Sequence, residues 1–297
     1  MRRAALGAFA LVAACSSAPS LQQELAQRLQ GFRGTAGVYV RHLGTGEEAA
    51  IAASEVFPTA SMIKVPILGA LLAKVGRGEL RYQQELVWST SRIYPGEDLL
   101  SAFAEGSKVA LAKVAMLMIT TSDNTAALWC QELAGTGVAI NEWLAAEGFA
   151  ATRVNSRTPG READKAKYGW GQTTPREMAE LLVLIRQGRL VSPAVSEEML
   201  RCLSRIYWDG EALAVIPPWV HTASKQGAVS SSRSEVVLVD APHGPYVFCV
   251  ITKDQQDESW TRDNEGFVLL RDVSAMLWRR FEPDLPYAPP ADNRPFW

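Results

Sequence analysis

The stretch Ser61-Met62-Ile63-Lys64-Val65-Pro66-Ile67-Leu68-Gly69-Ala70-Leu71-Leu72 constrains this chain more than any other. Its apolar residues fall on nearly every side of a helical wheel. The helix, read as running from Ser61 to Val75, therefore belongs inside a core rather than on a surface. Pro66 is tolerated early in it, where a missing N–H costs little. Lys64 does not fit that logic, because a buried ammonium is costly unless paired and desolvation pushes its pKa down. Ser61, three residues earlier, shares the face of Lys64. A Ser at a helix N-terminus beside such an amine is a candidate nucleophile. The Lys takes the proton and terminal N–H groups hold the developing oxyanion. A Ser cap followed by a Lys that snorkels to water would read the same way, so the pair alone decides nothing.

Two further polar islands interrupt apolar segments. Met116-Leu117-Met118-Ile119 gives way to Thr120-Thr121-Ser122-Asp123-Asn124-Thr125 before a helix resumes. Asp123 suits the cap of that next helix, but a cap accounts for one polar residue and not for a run of six. Ala223-Ser224-Lys225-Gln226-Gly227 ends a strand. There a Lys at the sheet edge can face a carboxylate, and Gly lets a substrate backbone approach. The alternative is an ordinary edge Lys that discourages strand pairing between molecules.

The frame around these islands is that of a globular chain. Its 297 residues are 47% hydrophobic and 21% charged, which excludes a disordered or collagen-like polymer. A formal net charge of -2 leaves no basic excess for nucleic acid. The three His (His42, His221, His243) show no metal-ligand spacing, so neither a metal nor another cofactor is implied. Leu21 to Leu29 reads as a short amphipathic helix. Strands are expected at 37–42 and 49–53, helices at 108–119, 124–134, 138–147, 175–188 and 193–206, and a low-periodicity loop at 152–174. After Pro217-Pro218 come strands at 219–227, 234–240 and 246–253, then a helix at 264–281. This order predicts one α/β (α+β) domain built from both ends of the chain, with an all-helical insertion between them.

The ends read differently. Met1-Arg2-Arg3 followed by apolar Ala4 to Ala14 has the form of a signal segment, too short to span a bilayer. It closes on Leu11-Val12-Ala13-Ala14-Cys15, which resembles a bacterial lipoprotein box, with Cys15 as the lipidated residue and 1–14 removed. An ordinary secretory signal that contains a Cys is the alternative. Either reading makes the protein exported, to the periplasm and, with the lipid, to a membrane. Cys130, Cys202 and Cys249 sit in apolar contexts and read as buried small hydrophobes. Residues 282–297 carry five prolines and are expected to lie extended over the surface.

Ser61-x-x-Lys64, Ser122-Asp123-Asn124 and Lys225-x-Gly227, in that order, resemble the penicillin-recognising serine enzymes, class A β-lactamases above all. The separations of 61 and 103 residues between the three motifs agree, as does Thr173-Thr174-Pro175 before a helix. The resemblance implies a β-lactamase/transpeptidase-like fold with an antiparallel sheet flanked by helices. Residues 20–281 would be the catalytic domain, its α/β part about 20–66 and 207–281 and its helical subdomain about 67–206. It implies Ser61 as nucleophile, Lys64 as proton acceptor, and Ser122 as proton donor to the leaving nitrogen. It implies Asn124 as an amide contact, Lys225 and Arg233 as cations for a substrate carboxylate, and the N–H groups of Ser61 and Ala228 as oxyanion hole. Gln226 departs from the pattern by replacing the usual hydroxyl between Lys225 and Gly227. Thr158 stands where the family carries the Glu that activates the deacylating water, and a Thr hydroxyl is no base near neutral pH. Glu162, at the position of the family's water-binding Asn, is the surviving candidate base, with a solvated loop charge as its alternative.

Three functions follow. The first is a β-lactam-hydrolysing serine enzyme. The second is a penicillin-binding cell-wall peptidase or esterase with slow β-lactam release. The third is a non-catalytic envelope lipoprotein, which intact Ser61, Lys64, Ser122 and Lys225 argue against. The substrate is a small molecule and the protein is expected to be monomeric. Trp170, Trp208, Trp219 and Trp260 read either as packing residues or as the walls of a ring-binding cleft.

Overall fold

The computed structural model describes residues 18–96 and 98–290. The expected signal segment and Cys15 lie outside the described residues, as do the last seven positions of the tail. Ser20 opens α1 (Leu21–Arg28) with a capping box: the Gln23 N–H donates to its hydroxyl, and its own N–H donates to the Gln23 side chain. β1 (Thr35–His42), β2 (Glu48–Ile51) and the short β3 (Phe57–Pro58) lead to α2 (Lys64–Gly76). Every residue of α2 from Lys64 to Ala73 is buried, as its all-round apolar wheel requires.

β4 (Glu85–Val87) pairs with β5 (Lys108–Ala110), and α3 (Leu111–Thr120), α4 (Asn124–Leu133) and α5 (Thr136–Ala146) follow. Next come β6 (Arg153–Val154), α6 (Glu162–Tyr168), β7 (Gly171–Thr173), α7 (Pro175–Arg186) and α8 (Pro193–Leu203). Pro at the first turn with Thr174 or Ser192 as cap starts each of the last two helices. The chain closes with β8 (Thr222–Val229), β9 (Ser232–Val239), β10 (Tyr246–Lys253) and α9 (Glu265–Phe281).

The main sheet has the order β2-β1-β10-β9-β8, antiparallel throughout. Strand alternation splits the core in two. Tyr39, Val236, Leu238, Val247 and Cys249 pack with α2 and α7 on one face. Val38, Val40, Val237, Phe248 and Val250 pack with α1 and α9 on the other.

Several expectations need correction. The segment from 67 to 206 is not all-helical. The stretch expected as helix from residue 108 begins as β5, with Val109 opposite Leu86. The expected loop at 152–174 contains β6, α6 and β7, and β7 pairs with both β6 and β3. No residue of α6 is buried, so hydrophobic periodicity carried no sign of it. Glu162 and Asp164 at its start and Lys165 and Lys167 at its end favour it through the helix dipole instead. α7 packs on β1, β9 and β10, so it belongs to the sheet layer rather than to the helical one. The strand expected at 219–227 runs from Thr222 to Val229.

The 152–174 segment is held close to α5. Thr158 is buried, donates from its hydroxyl to the Ser156 carbonyl at 2.9 Å, and sits where a Cβ on Gly137 would fall 1.7 Å from its Oγ1. Gly137→Ala is therefore expected to destabilise the fold by about 1–3 kcal/mol through overpacking, despite the ~1 kcal/mol that Ala contributes in a helix. Urea unfolding of Gly137→Ala with and without Thr158→Gly checks this. The cost should shrink markedly in the double variant, and a cost that stays the same would refute the contact.

Candidate active site

Ser61 lies on a 3-10 turn, Ala60–Ile63, just ahead of α2, rather than in the helix itself. Lys64 is the first residue of α2 and is fully buried. Its Nζ lies 3.0 Å from Ser61 Oγ, 3.0 Å from Ser122 Oγ, 2.5 Å from the Ser122 carbonyl and 2.9 Å from Asn124 Oδ1. An ammonium has three protons to place and here meets four oxygens, two of them hydroxyls. A hydroxyl can equally donate into the lone pair of a neutral amine, so this cage suits a group that gives and takes protons.

Ser122 is held by its neighbours. Asp123 caps α4 through the Ala126 N–H at 2.7 Å, and its other oxygen accepts the N–H groups of Leu99 and Leu100 at 2.7 and 3.1 Å. Burial nonetheless raises its pKa against these three bonds. Within the polar island Ser122 and Asn124 thus face Lys64, Asp123 and Thr125 hold Leu99, Leu100 and Tyr94, and Thr121 turns back to the Leu117 carbonyl. Ala60 at φ 44° and Ser122 at φ 62° both hold left-handed backbone without being Gly. Such strain concentrates at functional sites.

β8 completes the cluster. Lys225, also fully buried, places Nζ 3.2 Å from Ser122 Oγ, so one hydroxyl touches both lysines. Desolvation, then the neighbouring Lys64, pushes the Lys225 ammonium well below its ordinary pKa, opposed by Glu235. Glu235, buried on β9, is itself pushed up to about 8 by desolvation, although Ala212 N–H and the Ser224 hydroxyl donate to it. Gly227 has no room for a side chain: a Cβ there would fall 2.6 Å from the Thr59 carbonyl and 2.8 Å from the Ser61 nitrogen. The end of β8 therefore runs directly against the Ser61 turn. Ser61, Asn124 and Ala228 line a groove of about 490 Å³ whose walls include Tyr94 and Trp170 in an edge-to-face pair at 5.1 Å.

Ser61, Lys64, Ser122, Asn124, Lys225, Gly227 and Ala228 thus come together. Gln226 joins them differently from the expected hydroxyl contact, because its Oε1 and its carbonyl both accept from the Lys225 ammonium.

Two expected residues do not join. Arg233 donates to the carbonyls of Val229, Ser230, Ser232 and Ser259 and stacks on Trp260 and Phe267, at 4.4 and 4.6 Å. Its guanidinium braces the β8–β9 turn and does not line the groove. Glu162 is exposed at the start of α6, accepts the Gly160 N–H at 3.1 Å and does not line the groove either. Thr158 is likewise turned toward α5. Tyr94, Lys167 and Tyr168 line the groove with no motif to announce them. Of the four tryptophans, Trp170 alone lines it; Trp208 donates to the Thr121 carbonyl, and Trp219 and Trp260 are exposed.

A β-lactamase of Rhodobacter capsulatus is 23% identical over 278 residues, 92% of this chain and 94% of that one. The beta-lactamase regulatory protein BlaB of Streptomyces cacaoi is 36% identical over 108 residues, 36% of this chain and 35% of that protein. A mutant of PBP-A, solved as an acyl-enzyme complex with penicillin G, superposes with a TM-score of 0.78 at 29% identity, over 89% of this chain and 98% of that one. The model of the family described as "Beta-lactamase enzyme family" matches residues 20–281. A match of that extent leaves only the two ends of the chain outside it, and the chain belongs to the beta-lactamase enzyme family as a β-lactamase-like serine hydrolase.

Proposed function

We propose that Ser61 carries an acyl-enzyme cycle on β-lactams in which acylation is fast and release slow. The observation that carries this reading is an asymmetry in the site. Lys64 Nζ touches both the Ser61 and the Ser122 hydroxyl at 3.0 Å, whereas Asp254 is the only carboxylate among the described residues lining the groove. In the first half-reaction Ser61 Oγ bonds to the lactam carbonyl carbon while its proton passes to Lys64 Nζ. The ring C–N bond then breaks, and the Ser122 hydroxyl gives the nitrogen a proton that Lys64 replaces. The N–H groups of Ser61 and Ala228 receive the oxyanion. In the second half-reaction water must add to the Ser61 ester. Here Lys64 is the base in reach, since Glu162 points to Gly160. A positioned base contributes about 10²–10⁴-fold, and the position that supplies a Glu in the resembling enzymes is Thr158. The likeness to PBP-A, trapped as a penicillin G acyl-enzyme in a mutant form, favours the penicillin-binding variant of this reading.

Intact mass spectrometry after mixing with penicillin G separates the two halves. The wild type should gain one equivalent within the burst and lose it slowly, Ser61→Ala should gain none, and Glu162→Gln should match the wild type within about twofold. A labelled Ser61→Ala protein, or turnover with no burst, sinks the proposal.

Gln226 sets the second expectation. A substrate carboxylate can reach Lys225 only by displacing the Gln226 amide oxygen, a bond to a charged donor worth about 1.5–3 kcal/mol. Gln226→Thr should raise the second-order acylation rate with carboxylate-bearing penicillins about tenfold or more, read by stopped-flow. An unchanged rate would show that the carboxylate does not meet Lys225.

We also propose that the protein is an exported monomer held to an envelope membrane through lipid on Cys15. Membrane fractions should retain the wild type and release Cys15→Ser; a wild type recovered wholly in the soluble fraction contradicts the anchor.

A further inference from the structure

Away from the Ser61 groove, three segments bring Ser204, His221 and Asp240 together. Ser204 ends α8, His221 immediately precedes β8, and Asp240 immediately follows β9. Ser204 Oγ lies 2.8 Å from His221 Nε2, and His221 Nδ1 lies 2.7 Å from Asp240 Oδ2. The other Asp240 oxygen accepts from Arg186 Nε at 2.9 Å, and the Asp240 N–H donates to the His221 carbonyl at 3.0 Å. The carboxylate is thus fixed on both sides, and it fixes the ring. With the proton of the neutral imidazole held at Nδ1 by Asp240, the Nε2 lone pair faces the hydroxyl. That is the tautomer a general base needs. Ser204 Oγ also lies 2.7 Å from the Leu200 carbonyl, a second acceptor that competes for the hydroxyl proton.

Ser204 opens onto a cavity of about 340 Å³. Leu203, Ile206, Leu213 and Ile216 give it an apolar part, Asp209 and Thr222 join a lining that is more polar than apolar overall, and Tyr287 of the C-terminal segment lines it too. It shares no lining residue with the Ser61 groove.

We propose that Ser204, His221 and Asp240 form a second nucleophilic site, which takes the acyl group of small uncharged esters with good leaving groups. Ser204 Oγ bonds to the ester carbonyl carbon and its proton passes to His221 Nε2. The C–O bond to the leaving group breaks, the proton follows to that oxygen, and water then hydrolyses the Ser204 ester to release the acid. The position of Ser204 narrows the substrate class. The carboxyl end of α8 turns carbonyls rather than N–H groups outward, so no helix amide receives the oxyanion. Loss of one such donor costs about 10²–10³-fold. Only an activated ester, such as an aryl ester, has a barrier low enough to react here.

The test uses the full chain carrying Ser61→Ala, which silences the first site, and an alkyl fluorophosphonate as probe. Its P–F bond breaks as Ser204 Oγ bonds to phosphorus, and fluoride leaves. Peptide mapping should find one equivalent on Ser204, with the rate at least tenfold lower in Ser61→Ala/His221→Gln. If that variant does not fold, Ser61→Ala/Asp240→Asn, which loses the tautomer, serves the same comparison. Hydrolysis of p-nitrophenyl butyrate by Ser61→Ala should vanish in Ser61→Ala/Ser204→Ala. Ser204→Ala on its own should leave penicillin acylation of Ser61 intact. A folded Ser61→Ala protein with no adduct on Ser204, or one labelled at the same rate without the imidazole, overturns the proposal and reduces the three residues to a pin between α7, α8 and the sheet.

Discussion

One hydroxyl between two buried amines organises this molecule. Lys64 and Lys225 are both fully buried, and both reach Ser122 Oγ, at 3.0 and 3.2 Å. Both are shut off from bulk solvent, so they depend on protein oxygens: Ser61, Ser122 and Asn124 for Lys64, and Ser122 and the adjacent Gln226 for Lys225. These oxygens come from the turn ahead of α2, the α3–α4 junction and the edge strand β8. A misplaced α3–α4 junction would strip Lys64 of three of its oxygens at once and leave a buried charge with too few partners, which costs several kcal/mol. The cluster is thus a reason for the helical layer and the sheet to dock in one register only. The burial that gives the cluster its chemistry also makes it intolerant of error.

Close approach is the other half of the arrangement. Gly227 lets β8 touch the Ser61 turn, and Gly96 approaches the Asn124 amide closely enough that a Cβ would fall 2.7 Å from its nitrogen. Backbone is brought to the site where side chains would be too bulky. The cost of the unusual conformations at Ala60 and Ser122 is borne by the packing of α2 and by the Asp123 bonds to Ala126, Leu99 and Leu100.

Residues whose chemistry conflicts with their surroundings were legible from the sequence. A Lys inside an apolar helix, six polar residues directly after an apolar run and a Lys-Gln-Gly in a strand each violate a local preference, and the structure brings these three places into one cluster. Residues in chemically unremarkable settings were not. Arg233 reads as a free cation near the site, yet its partners are carbonyls of the β8–β9 turn just before it and of Ser259, and a backbone carbonyl leaves no trace in sequence. Glu162 was judged by its place in the chain, while its direction is set by α6, an exposed helix without an apolar stripe. Tyr94 reaches the groove because Thr125 Oγ1 accepts its N–H at 2.9 Å, a contact across 31 residues that no periodicity encodes.

Cys130, Cys202 and Cys249 are free, buried and lodged in the larger core cluster. Burial raises the pKa of all three thiols, to about 11 for Cys202 and well above the ordinary value for Cys249. A thiol in that state supplies almost no thiolate, and thiolate is the species that exchanges with disulfides. In the native molecule these three thiols are therefore chemically deaf to the redox potential around them. The unfolded chain is not, because there the same three sulfurs are exposed and ordinary in acidity. In an oxidising compartment the fate of a newly made molecule is then a race between closing the core and forming a wrong cross-link. There, folding speed as well as native stability would set how much active protein accumulates.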